Sequence, residues 1–330
     1  MTRRRCATLA LFVVGATACA LTTDLSGLSG GPDPDAGAPL GEAGSTDDAG
    51  PFDATTGDDG GTFEAGTGCD PDAPFRPLTS VAGVNTSADE GGPRLTPDEL
   101  TMYFESERAD GPGGSDLYVA RRPSLAAPFG PASLVPAMSS PRAEYTATVH
   151  PDGLSLVFAS NRVDDFALFI ARRTSTQDAF GAPVEVSSLE TGAIEAHPAF
   201  TPAGDALYFT STRPGGAGGY DLYRAAFVNG TFGMAVRQAE LSSASDEVTP
   251  VLSRDERYVI FSRKTNAKND LWKARRASRD VPWEPPTPMT DVVSPSDIFA
   301  GWLSPDGCRL YVYTRTPAGD LDIAVATREP

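Results

Sequence analysis

Basic residues are scarce in this chain. Its 330 residues hold 27 Lys and Arg against 44 Asp and Glu, a formal charge of −17. That balance excludes a nucleic-acid partner, because neutralising a phosphate backbone needs clustered cations. It also excludes docking on anionic lipid by charge alone. Histidine is scarcer still. Only His150 and His197 occur, and with the four cysteines they make no metal-ligand spacing, so neither a metal nor a cofactor is expected. Long apolar runs are missing as well: "ATLALFVVGATA", near the N-terminus, has 12 residues and is too short to cross a bilayer as a helix. What the chain has in quantity is glycine (33) and proline (29), which suits many short strands and turns better than long helices.

The acidity is uneven. Residues 20–73 carry 12 acids and no Lys or Arg, which leaves 74–330 at only −8. The basic "MTRRRC" followed by the apolar run reads as an export signal over 1–18. The small residues of "ATAC" before Cys19 resemble a bacterial lipobox, with Ala16 where such boxes usually have Leu. Two readings stay open here. In one, Cys19 is lipidated and anchors the protein to a membrane; in the other, an ordinary signal-peptidase site at Ala18-Cys19-Ala20 releases a soluble secreted protein. The first places the chain at the bacterial cell envelope, with the outer membrane favoured because Ala20, not Asp, follows the cysteine. Residues 19–68 are rich in Gly, Ala and Asp, have little to bury, and are expected to form a disordered tether.

From residue 69 onward the chain repeats. The segments "GGPRLTPDELTMYFESER", "TATVHPDGLSLVFASNR", "AHPAFTPAGDALYFTSTR", "VTPVLSRDERYVIFSRK" and "AGWLSPDGCRLYVYTRT" align on a shared turn, at Pro97, Pro151, Pro202, Arg254 and Pro305, with spacings of 54, 51, 52 and 51. Each is followed by a second element such as "YDLYRAAF" and, in four copies, a third such as "TFGMAVRQ". Each unit reads as four short strands, with a Pro-Asp-Gly-type turn between the first two and, in the third copy, an Asn229-Gly230 hairpin between the last two. The glycines of "RPGGAGGYD" fit G-rich phosphate loops poorly: no helix or P-loop lysine follows, and the fourth copy replaces them with "TNAKN". They read as a strand connection. The expected fold is therefore all-β, a five-bladed β-propeller over 69–330 made of four-stranded antiparallel blades. The last copy lacks its fourth strand, and "PFRPLTSVAGVN" (74–85) is expected to supply it and close the ring.

The pattern "SPDG..LYF.S.R..G..DLY.A" resembles the WD-like β-propeller repeat of the TolB family and related bacterial envelope lipoproteins, over roughly 74–330. TolB itself has six blades and a further α/β domain, where this chain shows five repeats. The resemblance implies a propeller built from such repeats.

With Cys6 leaving in the signal and Cys19 taken up by the lipid, Cys69 and Cys308 remain, an even pair in an oxidising compartment. Strand order puts them at the same edge of the last blade, where a disulfide would latch the ring and, in the chain-entropy view, contribute ~4–5 kcal/mol. Two free thiols are the alternative. At the opposite face an acidic column, Glu90, Glu144, Glu195 and Glu247, precedes each turn by seven residues; the fifth copy has Ile298 beside Asp297. A basic column, Arg108, Arg162 and Arg213, closes the second strands, with Arg263 and Arg315 somewhat earlier in their copies. These residues are read either as a channel-mouth site for a polar ligand or ion, or as pairs that fasten each blade. Asp116, Asp221, Asp270 and Asp322 are expected to bond backbone N–H groups in the loops before the third strands. Because the columns repeat without a residue that stands apart, the expectation is a non-enzymatic propeller that binds an envelope protein, peptide or glycan. The alternative is a five-bladed glycoside hydrolase or lyase that uses channel-mouth carboxylates.

Overall fold

Every repeat opens on a strand that ends in the same polar turn. In the computed structural model, which describes residues 68–135 and 137–329, these first strands are Glu90–Leu95, Glu144–Val149, Glu195–Phe200, Glu247–Leu252 and Ile298–Leu303. The turns are held by short polar side chains. Asp98 Oδ1 accepts from Leu100 N at 3.0 Å, Asp152 Oδ1 from Leu154 N at 2.7 Å and Asp306 Oδ1 from Cys308 N at 2.9 Å, the local bond that suits Asp to a tight turn. In two copies the left-handed position of the turn is a glutamate, Glu99 (φ 60°) and Glu256 (φ 54°). Both are buried, and arginines compensate the strain and the charge: Arg309 reaches Glu99 from the fifth blade at 2.6 Å, and Arg279 reaches Glu256 at 3.1 Å.

The chain returns from each turn as a second strand, then a third and a fourth, giving five four-stranded antiparallel sheets and no α-helix among the described residues. The first strands neighbour one another in a closed cycle, so the sheets are the blades of a five-bladed β-propeller and the first strands line its axis. The fourth strand is only two residues long in most blades, such as Ser133–Leu134 and Val184–Glu185, which leaves little exposed edge. The third blade differs, with a seven-residue strand, Thr231–Arg237, after the Asn229-Gly230 turn.

The fifth blade takes its outer strand from the other end of the described chain: Thr79–Ser80 pairs antiparallel with Leu321–Thr327, Thr79 opposite Val325. Cys69 and Cys308 form a disulfide beside this seam, and Cys69 N donates to Asp306 O at 2.8 Å. The core is divided rather than central. Five apolar clusters occupy the five seams between neighbouring blades; Phe209 and Leu168, for example, meet between the second and third blades, and Leu310 and Ile260 between the fourth and fifth.

The glycine-rich connection is used for close approach. A Cβ on Gly218 would lie 1.9 Å from Ser245 O, so the loop between second and third strands lies flat on the next blade only because it has no side chain there. Asp221 holds it from below, its Oδ2 accepting from Ala217 N at 2.9 Å and Gly218 N at 3.2 Å. The segment read as an export signal, Cys19, and the linker as far as 67 lie outside the described residues.

Candidate active site in the central channel

The acidic column is built the same way four times. Glu90, Glu144, Glu195 and Glu247 open their strands fully buried. Each pairs with an arginine of its own blade: Arg108 Nε at 3.2 Å, Arg162 Nη2 at 3.2 Å, Arg213 Nη2 at 3.1 Å and Arg263 Nε at 2.8 Å. A serine of the second strand adds a bond in three blades, Ser106 at 2.8 Å, Ser160 at 2.9 Å and Ser211 at 2.9 Å. In the fourth blade Arg263 itself occupies that register, opposite Glu247. A hydroxyl four residues upstream completes the set, such as Thr86, Ser140 and Thr191 at 2.6, 2.6 and 2.7 Å. The guanidinium groups stack on blade aromatics, Arg213 on Tyr223 at 4.7 Å and Arg263 on Trp272 at 4.4 Å. Burial raises the pKa of Glu195 and Glu247 in spite of these bonds. In the fifth blade Ile298 is buried, Asp297 accepts from Asn269 N at 2.8 Å, and Arg315 instead approaches Asp89 at 4.0 Å.

A second set of residues breaks the repeat. The first strand of every blade carries a bulge, and in four of them the residue there has a left-handed backbone: Gly92 (φ 55°), Thr146 (45°), His197 (50°) and Thr249 (55°). For β-branched threonine this is a strained conformation of the kind that concentrates at functional sites. One register step deeper, the second strands present Glu105, Ala159, Thr210, Ser262 and Tyr313 at equivalent positions. Glu105 is the only acid among them.

The carboxylate of Glu105 sits in a prepared cradle. Thr146 of the next blade donates to its Oε2 through the backbone N at 2.5 Å and through Oγ1 at 3.2 Å. On the other side, a Cβ on Gly91 would stand 2.8 Å from Oε1 and one on Gly92 2.6 Å from Oε2. Two glycines are therefore what lets the carboxyl group pass the first strand of its own blade. Burial pushes the pKa of Glu105 up to about 7, against the lowering effect of the Thr146 bonds and the charge of Arg94, and Glu107 nearby adds to the rise.

Arg94 crosses the axis. It belongs to the first blade, yet its Nη2 donates to Pro250 O of the fourth at 3.3 Å and its Nη1 to Gly301 O of the fifth. The first and fourth blades are not neighbours, so the guanidinium spans the channel. It is buried with carbonyls as its hydrogen-bond acceptors, its Nε has no partner, and desolvation brings its pKa down to about 10. His197, from the third blade, feels that charge; burial and Arg94 bring its pKa down to about 4, so the ring is neutral at pH 7. Its Nδ1 and the Oγ1 of Thr210 are buried without hydrogen-bond partners among the described residues. The Tyr313 hydroxyl lies in the fields of Glu105 and Arg94, and the Tyr145 hydroxyl in those of Glu105, Glu107 and Asp89. Burial and Asp89 raise the pKa of Glu107 as well.

The channel thus gathers Arg94, Glu105, His197 and Tyr313, none of which belongs to the two columns. The legible signal was the lone acid in its repeat column, together with "EGG" where other copies have side chains.

No family model and no curated protein matches the chain. Solved structures do. An α-L-arabinofuranosidase from Lactobacillus brevis superimposes with a TM-score of 0.52 at 12% identity over 72% of this chain and 90% of its own. Zg3597, a family 117 glycoside hydrolase from Zobellia galactanivorans, gives 0.52 at 11% over 77% and 90%. Enzymes share this fold. The expectation that the chain is not an enzyme is corrected accordingly: a closed, repeat-built disc is common to glycoside hydrolases, so regular repetition does not argue against catalysis. TolB from Acinetobacter baumannii matches at a TM-score of 0.44 and 17% identity over 74% of this chain, which spans only 56% of that protein's length. The TolB-type resemblance stays at the level of the β-propeller.

Proposed function

We propose that the chain is a carbohydrate-active enzyme, a glycoside hydrolase, with Glu105 as its proton donor. The observation that carries this reading is a single channel carboxyl group that breaks the fivefold repeat and keeps its proton up to about pH 7. Cleavage of a glycosidic bond needs an acid that is protonated at working pH to release the leaving oxygen. The names of the fold neighbours, an α-L-arabinofuranosidase and a family 117 glycoside hydrolase, support the same substrate class.

The second carboxylate is Glu107. It lies two residues on from Glu105, just past the end of the second strand, Thr101–Ser106, and takes the part of the second carboxyl group that glycoside hydrolysis needs. Glu107 is exposed, and its charge adds to the rise at Glu105. The four column glutamates are left with the task of fastening first to second strands, because arginine and hydroxyl donors already occupy them.

Hydrolysis of a panel of polysaccharides and nitrophenyl glycosides tests the reading. Glu105→Gln is expected to lower kcat/KM on an unactivated glycoside at least about 100-fold, with a much smaller loss on a nitrophenyl glycoside, whose leaving group needs no proton. A wild-type protein inactive on the whole panel, or a fully active Glu105→Gln, would overturn it. The same proposal places the enzyme at the bacterial envelope, attached through lipidated Cys19, on the strength of the signal and lipobox pattern. The intact mass of the exported protein checks this. An acylated N-terminus that disappears in Cys19→Ser is expected; an unmodified mature chain speaks for soluble secretion.

A further inference from the structure

The first strands run from the glutamate column at one face of the disc to the polar turns at the other. On that far face the turn at 253–257 of the fourth blade and the turn at 303–307 of the fifth border a cavity of about 630 Å³, a size usual for small-molecule sites. Five arginines line it, Arg254, Arg257, Arg275, Arg276 and Arg328, in a chain whose overall charge is −17.

Only two acids line the same cavity, and both are engaged. Asp255 Oδ1 accepts from Ser253 Oγ at 2.6 Å and Arg257 N at 3.1 Å within its own turn. Asp306 Oδ2 pairs with Arg309 at 2.7 Å, and its Oδ1 closes its own turn through Cys308 N. Of the arginines, Arg276 is matched by Glu256 at 3.5 Å and Arg275 by Asp72. Arg328 is different. It is buried against the Phe75 ring at 4.5 Å, and its acceptors are backbone carbonyls, Gly307 O at 2.8 Å and Ala73 O at 3.4 Å. Among the described residues no carboxylate pairs with it. Arg257 is exposed at the cavity rim, also without an acid partner among the described residues.

We propose that this cavity is a second ligand site, for a small molecule bearing an oxyanion: a phosphate, sulfate or carboxylate group. A guanidinium fork matches such groups with two parallel hydrogen bonds. An anion here meets the charges of Arg257 and Arg328 in a partly desolvated setting, where charge-assisted bonds are strongest. The disulfide of Cys69, which also lines the cavity, fixes the wall next to Arg328.

Calorimetric titration of the full exported chain at low ionic strength tests this, with inorganic phosphate, inorganic sulfate and glucuronate as probes and glucose as the uncharged control. Saturable one-to-one binding of at least one oxyanion and none of glucose is expected, and the three arms identify the preferred group. Arg257→Ala, a surface change that leaves the fold intact, should weaken that binding about tenfold, the loss typical of one charged hydrogen bond. Absence of saturable binding for all three anions, or equal affinity in Arg257→Ala, would overturn the proposal.

Discussion

Two kinds of glutamate share this molecule, and their surroundings separate them. Those of the column are buried at the start of strands, each met by an arginine and by hydroxyl donors. Glu105 has its Thr146 donors and two glycines that make room, but Arg94, whose charge it feels, is committed to carbonyls across the channel. That difference has a sign in solution. The folded pKa of Glu105, about 7, stands above the ordinary 4.5, so between those values the folded chain holds a proton the unfolded chain has released. Stability therefore falls as pH rises through this window and levels off above it, by up to about 3 kcal/mol. Chemical denaturation from pH 4.5 to 8 is expected to show this decline in the wild type and a shallower one in Glu105→Gln. Parallel curves would mean that Glu105 titrates normally.

At the scale of the element, strands and turns were legible because their physics is local. Pro-Asp-Gly chemistry, alternating apolar residues and a recurring Arg mark each blade in the sequence, and the turn aspartates bond as their positions suggest. The loops before the third strands were legible in the first and third blades, where Asp116 and Asp221 accept from backbone N–H groups; in the fourth, Asp270 accepts instead from the side chains of Thr265 and Lys268, because the glycine-rich loop is replaced there by a tight hairpin. What the sequence did not disclose was anything that depends on two blades meeting. The bulges that turn Thr146 and Thr249 left-handed leave no local mark, since a β-branched residue is not a usual choice for positive φ. Arg94 looks like a surface residue on an exposed strand end; its carbonyl partners lie 156 and 207 residues away. Glu105 is marked in the sequence only as the one acid at a position where the other copies have Ala159, Thr210, Ser262 and Tyr313.

For the whole molecule, closure is the decisive event. The five seams share the apolar core, so each blade is only as stable as its two neighbours make it, and the last seam is completed by Thr79–Ser80 and the Cys69–Cys308 bond. The bond spans 239 residues, and constraining so long a loop removes much freedom from the unfolded chain. Replacing both cysteines by serine is expected to lower unfolding free energy by about 2–5 kcal/mol in a denaturant titration, with the fold retained. A double variant as stable as the parent would show that strand pairing alone closes the ring. Closure also sets the chemistry, because only a finished ring brings Arg94 of the first blade onto Pro250 and Gly301 of the fourth and fifth and encloses Glu105 in the channel.

The proton on Glu105 is the point on which the functional account turns, and it can be read directly. Carboxyl carbon-13 NMR of the glutamate-labelled protein, with Glu105→Gln to assign the resonance, should reveal one carboxyl group that titrates near pH 7. A Glu105 resonance that titrates below about pH 5 would contradict the account, since the channel would then hold a permanent carboxylate and no acid to give.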